Sequence, residues 1–355
     1  MLVVIMKLKA PVVAVFVILT TLCVAKTERT EAMLDCLDFE IRGIYLGASN
    51  EIMQKLKKAK NLNVNAVVID IRNDYGEITC NLNTPKIRYV PYIRNIKQLL
   101  IDLKKMGIYT IARIVTFRTK TPNNDTLAIK NMDGSVYTDE EKMNWLNPYN
   151  NKTWEYLAQI VEAVAVIGFD EIQFDYIRLP QYKSLETTDI KHDMQKKTKE
   201  DIVNDFLDFI IPKLKALNVK VSVDVFGCTI PESLNEKSCW STRNIGQNYV
   251  AISKKVDYIC PMIYPSHWPP RSMGIRFPDL DPGKIVKQAM SYSNKALSSD
   301  TTKARPWLQA FTATWLKKGY WREYKLKQMQ EQVNALRELG LKQFCFWNPA
   351  ARYKF

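Results

Sequence analysis

Gly168-Phe169-Asp170-Glu171-Ile172-Gln173-Phe174-Asp175-Tyr176-Ile177-Arg178-Leu179-Pro180 is the stretch whose reading decides the fold. It follows a helix pattern and reads as a glycine turn, a strand, and a proline that stops the strand. Successive side chains on a strand point to opposite faces. Glu171, Gln173 and Asp175 therefore share one face, while Ile172, Phe174 and Tyr176 share the other. A parallel strand buried on both faces normally reads apolar throughout. Here one face is polar along its length. A carboxylate on that face is costly unless it is paired or stands at a solvated rim where it has chemistry to do.

Outward from this strand, strand-like and helix-like runs alternate. Strands are predicted at 41–46, 66–72, 109–117, 171–178, 219–226, 258–264, 306–313 and 343–348, and helices at 51–61, 95–106, 153–167, 198–217, 246–255, 283–297 and 324–340. Parallel neighbours need crossover connections, so this alternation argues for a parallel sheet. The simplest closure is a single (β/α)8 TIM barrel over 41–355, of the α/β class, preceded by a lead-in at 26–40. An open doubly wound sheet is the alternative, but no glycine-rich nucleotide turn follows the first strand. Charged insertions at 118–152 and 181–197 follow the third and fourth strands. Both fall on the carboxyl-end face, where active sites of this fold are built.

Parity along the other strands shows which side chains converge. Strand two groups Val68, Asp70 and Arg72, and strand three groups Ile111, Arg113 and Val115. Strand five turns Val219, Val221, Val223 and Val225 to the helices and Ser222, Asp224 and Phe226 inward. Strand six sends Met262 and Tyr264 inward, just before His267. Asp70, Arg113, Asp175 and Asp224 then face one axis from four adjacent strands. Arg113 paired with Asp70 or Glu171 would serve packing alone. Asp175 and Asp224, at neighbouring strand ends, suit glycosidic bond cleavage: one acid protonates the leaving oxygen and the other attacks or activates water.

In this reading Asp175 is the nucleophile or stabiliser and Asp224 the general acid. Arg113 and Arg178 hold carboxylates ionised, with Asp70 beside them, and Tyr264, His267 and Trp347 contact sugar. Trp145, Trp268, Trp315 and Trp347 cluster at the expected rim, where C–H faces of sugars pack on rings, although single tryptophans also serve as core. Histidine is scarce, only His192 and His267, and no CxxC pair occurs. Metal hydrolysis and a zinc site are therefore disfavoured, and no cofactor is expected. A non-catalytic glycan-binding barrel is the alternative function; the multiplicity of inward acids favours the enzyme.

The chain begins with Lys7 and Lys9, an uncharged apolar run from Ala10, and a small residue at Ala25. This reads as a secretory signal over 1–25. A lipid anchor at Cys23 is disfavoured because Leu22 is bulky. Cleavage lowers the formal charge from +14 to +12 by removing Lys7 and Lys9. The excess is spread along the chain and favours anionic surroundings such as cell-wall polymers, membrane headgroups or acidic glycans, or serves solubility alone. Nucleic acid is not an expected partner. Export permits disulfides; Cys228 with Cys239, and Cys36 with Cys345, are the expected pairs, and buried free thiols are the alternative.

Six motifs carry a resemblance: Asn65-Ala66-Val67-Val68-Ile69-Asp70, Ile111-Ala112-Arg113-Ile114-Val115, Trp145-Leu146-Asn147-Pro148, the 168–180 stretch, Asp224-Val225-Phe226-Gly227, and Met262-Ile263-Tyr264-Pro265-Ser266-His267. In this order, over nearly all of 41–353, they resemble the bacterial putative glycoside hydrolase domain family, exported barrel proteins with no assigned substrate. The resemblance implies an α-amylase-like TIM barrel with its active site near Asp175. The chain departs from the family pattern at Leu179, usually Phe, and at Trp268, usually Tyr. Both changes touch pocket shape.

Overall fold

The structure is a computed structural model that describes residues 33–85, 87–120, 125–180, 183–233 and 245–353. The expected signal segment, 1–25, lies outside the described residues. Residues 34–355 form the unit described below.

Eight strands close a barrel: β1 (Ile41–Tyr45), β2 (Ala66–Arg72), β3 (Tyr109–Val115), β4 (Glu171–Asp175), β5 (Lys220–Phe226), β6 (Tyr258–Met262), β7 (Trp307–Gln309) and β8 (Gln343–Trp347). They run in sequence order around the barrel, every pair is parallel, and β8 returns to β1 through Gly43↔Cys345. Helices α1 (Ile52–Lys58), α2 (Ile96–Lys105), α3 (Asn151–Ile167), α4 (Lys191–Lys196), α5 (Lys199–Ala216), α6 (Tyr249–Ser253), α7 (Pro282–Leu297) and α8 (Leu326–Glu338) lie between the strands. The (β/α)8 expectation therefore holds. The short helix α4, inside the 181–197 insertion, was not predicted.

Local chemistry sets the boundaries. The Asn150 side chain caps α3 by accepting from Lys152 N. Gly168 ends that helix at φ 111°, a left-handed conformation that glycine adopts without steric cost. A Thr198/Asp201 capping box starts α5. β4 stops at Asp175 instead of 178 because Tyr176 takes a left-handed φ of 47°, which turns the chain out of the sheet.

Two apolar layers result. Outward side chains such as Val221, Val223 and Val225 join the helices in the large outer core. Inward side chains, among them Val68, Ile111, Cys260 and Cys345, form a separate cluster inside the barrel. At the amino-end of that interior Glu171 is fully buried and pairs with Arg305, not with Arg113. Tyr109 and Ser222 also donate to Glu171. Of the two pairings foreseen for Arg113, that with Asp70 forms and that with Glu171 does not.

Three further expectations are corrected. A register shift between Asp70 and Arg72 re-aims Arg72, whose guanidinium donates to the backbone oxygens of Thr116 (3.3 Å) and Arg118 (3.1 Å). The expected Cys36–Cys345 disulfide does not form: both thiols are free and buried. Cys345 belongs to the cluster inside the barrel while Cys36 packs in the outer core, so the wall separates them. The strand foreseen at 306–313 is only Trp307–Gln309. Cys228 is disulfide-bonded, and Cys239 lies outside the described residues.

Candidate active site

The ordering of β2 to β5 decides what meets at the carboxyl ends. Asp70 is the direct neighbour of Arg113 across β2 and β3. Phe174 pairs with Val223 across β4 and β5, so Asp175 and Asp224 come one step later at the same level. All four side chains point inward. Above them opens a cavity of about 450 Å3 lined by Arg113, Asp175, Arg178, Asp224, Tyr264, His267 and Trp347, together with residues not singled out from the sequence.

Arg113 organises the acidic side. Its guanidinium donates to Asp175 Oδ2 through Nε (2.9 Å) and Nη2 (2.7 Å), to Asp70 Oδ1 through Nη1 (2.8 Å), and to Asp74 Oδ1 through Nη2 (2.9 Å). Paired and forked contacts of this kind fix a carboxylate in orientation as well as charge. Asp175 Oδ1 accepts the backbone N–H of Tyr176 at 2.6 Å, a bond that the left-handed turn there makes possible. Among the described residues, the side-chain oxygens of Asp175 thus accept from the Arg113 guanidinium and from the Tyr176 backbone. Asp70 does not line the cavity: it sits behind Arg113, also accepts from Tyr45 Oη at 2.6 Å, and positions both. Burial pushes its carboxyl upward against the pull of Arg113.

Asp224 has a different environment. It is buried, and its Oδ1 accepts Trp307 Nε1 at 2.7 Å. Its carboxyl is held well above the usual carboxylate range, by burial first and then by the negative charge of Asp175. Two acids at one level thus have opposite surroundings, the arrangement that separates acid from base roles. Gln247 braces the end of β5 by accepting from Phe226 N (3.0 Å) and donating to Asp224 O (3.2 Å). At Gly227 a Cβ would meet Met262 O at 2.6 Å and Trp268 at 3.0 Å, so only glycine admits the close passage of this loop over β6.

Aromatic rings form the opposite wall. Tyr264 stacks on Trp347 with centroids 5.0 Å apart and meets His267 edge-on at 5.2 Å. Trp268 lines the cavity as expected. Trp145 does not: it is buried, and its indole donates to Asp139 at 2.8 Å. Trp315 stands outside the cavity lining, 62% exposed and stacked on Phe311. Arg178 lines the cavity and makes no direct ion pair with a described carboxylate, although the charge of Asp175 acts on it from farther away. Its guanidinium carbon sits 5.0 Å from the ring centres of Trp145, Tyr176 and Phe226.

Sequence reasoning missed Tyr45, Asp74, Trp307 and Gln247. Inward parity on β1 and β7 would have found Tyr45 and Trp307. Asp74 and Gln247 lie on loops, where no periodicity signals direction.

The closed parallel barrel, with acids and aromatic rings at its carboxyl ends, defines the class: a TIM barrel of the glycoside hydrolase kind. The chain belongs to the family described as "Putative glycosyl hydrolase domain", which matches residues 41–353. Among solved structures the glycoside hydrolase domain of PgaB (BpsB) from Bordetella bronchiseptica is similar at 15% identity, covering 88% of this chain and 94% of that one, with a TM-score of 0.60. The spore cortex-lytic enzyme SleL of Bacillus megaterium is similar at 13% identity, 88% and 71% coverage and a TM-score of 0.51. At these identities the likeness is one of fold. A hypothetical protein from Ruminiclostridium thermocellum is 32% identical over 51% of this chain and 97% of that one, with a TM-score of 0.44. No curated protein matches the chain.

Proposed function

We propose that this protein is an exported hydrolase that cleaves a cell-wall or other extracellular polysaccharide, with Asp224 as general acid and Asp175 as nucleophile. The observation that carries the reading is the contrast between the two acids. Asp224 is buried and its pKa is raised by burial and by Asp175, which keeps a proton available for the leaving glycosidic oxygen. Asp175 is held by Arg113 and the Tyr176 N–H, with its charge balanced and its orientation fixed. In this scheme Asp175 attacks the anomeric carbon as the leaving oxygen takes the Asp224 proton. Asp224, now ionised, then takes a proton from the water that releases the sugar. The Tyr264–Trp347 stack would carry a sugar ring. Export rests on the apolar run that ends at Ala25.

The test is reducing-end release from a panel of cell-wall and extracellular glycans. Wild-type protein is expected to release product, and Asp175→Asn and Asp224→Asn are each expected to lose several orders of magnitude in rate while staying folded. Glycan binding without product from the wild type would instead establish a barrel that binds and does not cut.

A further inference from the structure

Arg178 is buried, lines the cavity, and has no acidic partner among the described residues. One hydrogen bond accounts for part of it: Nη1 donates to Leu179 O at 3.0 Å. Its remaining N–H groups are not among the buried side-chain atoms that lack a partner, so they have access to the cavity. The other cavity-lining arginine, Arg113, is shared by Asp70, Asp74 and Asp175. His267 stands at the mouth, and desolvation by the surrounding side chains lowers its pKa toward the neutral form.

A buried guanidinium with no direct ion pair costs desolvation energy that three aromatic faces and the more distant charges of Asp175 and Glu141 offset only in part. A purely structural side chain here would do as well without the charge. The charge gains its partner when an anion enters the cavity. Burial lowers the Arg178 pKa, and the charges of Asp175 and Glu141 oppose that shift without cancelling it.

Resting on the hydrolase reading for the site, we infer that the substrate is an acidic glycan whose sugar at or beside the cleaved bond bears a carboxylate, and that Arg178 binds that carboxylate. The planar fork of a guanidinium matches a carboxylate in two-point contact. The cation is fixed in advance by Trp145, Tyr176 and Phe226, so little side-chain freedom is lost on binding.

The experiment measures binding by calorimetry to uronic-acid oligosaccharides (galacturonate, glucuronate and mannuronate series) and to their carboxyl-reduced, neutral twins. It is done in 1 M salt, where the screening length is about 3 Å and attraction to surface lysines is lost. Wild-type protein should bind at least one acidic oligosaccharide roughly tenfold or more tightly than its reduced twin, the size of a charge-assisted hydrogen-bond pair. Arg178→Gln should bring that ratio close to one, and Arg178→Lys should keep part of it. If no acidic oligosaccharide outcompetes its twin on wild-type protein, or if the preference survives in folded Arg178→Gln, the inference is wrong. Preferential acidic binding that Arg178→Gln abolishes, with no cleavage, would overturn the hydrolase reading and leave the Arg178–carboxylate contact standing. Cleavage of neutral glycans with no acidic preference would do the reverse.

Discussion

Asp224 is the residue on which the proposed chemistry turns. Its raised pKa has a stability consequence with a definite sign. A carboxyl harder to ionise in the folded state than in the unfolded one contributes stability fully below the ordinary carboxyl pKa. That contribution is lost as pH rises through the raised folded value. Asp224→Asn keeps an acceptor for Trp307 and removes the ionisation. The variant should therefore melt at or above the wild-type temperature in alkaline buffer, with the difference vanishing in acid; a variant that melts lower in alkali would contradict the assignment. The same group sets the alkaline limb of the rate profile, because a general acid must carry its proton. The Trp307 hydrogen bond pulls the Asp224 pKa down against burial. Trp307→Phe should accordingly move the alkaline limb of kcat/KM to higher pH, and a limb that stays put would sever Asp224 from the acid role.

At the scale of elements, the barrel interior divides into a structural end and a chemical end. Glu171 and Arg305 form the structural end, both fully buried. Removing one partner of a buried pair strands the other charge, at a cost of about 3–5 kcal/mol. Glu171→Gln should show a loss of that order in urea unfolding, and a loss near zero would mean that the Tyr258 ring, 4.5 Å from the Arg305 guanidinium carbon, suffices to hold that charge in place. β4 and β5 set the stereochemical outcome at the other end. Adjacent parallel strands lie about 4.8 Å apart, and a retaining pair of carboxyls needs roughly 5–5.5 Å. Asp175 and Asp224 are level on such neighbours, so the product should keep the anomeric configuration of the substrate, as read by proton NMR of the fresh reaction. Inversion would move the second acid off the adjacent strand, with Asp74, which lines the cavity on the loop after β2, the first candidate.

For the whole molecule, the sequence carries 51 basic against 37 acidic residues. Among the described residues no helix is long and apolar enough to cross a membrane. If the basic surface holds the protein on an anionic wall or membrane face, 1 M salt should release it, since the Debye length falls to about 3 Å. Retention through the wash would point to specific glycan binding or to a lipid at Cys23. Mass spectrometry of the released protein should find Lys26 at its start, and an intact Met1 would end the export proposal.

The barrel was legible because periodicity is a local property. Alternating runs of period two and near 3.6 gave the strands and most helices, and crossover length required parallel pairing. Inward parity likewise placed Asp70, Arg113, Asp175 and Asp224 on four adjacent strands. Partner choice was not legible, because it depends on depth and on side-chain reach across strands distant in sequence. Glu171 found Arg305, 134 residues away, and Arg178 found three rings in place of a carboxylate. The shift between Asp70 and Arg72 broke the parity rule at the one point where the ladder slips. Cys36 and Cys345 were assigned to each other by the expected nearness of their strands, yet the barrel wall stands between their side chains. Sequence by itself determined the wall and most of the side chains that face inward. Only the closed barrel decided which charges meet, and it left Arg178 facing the cavity with no direct ion pair among the described residues.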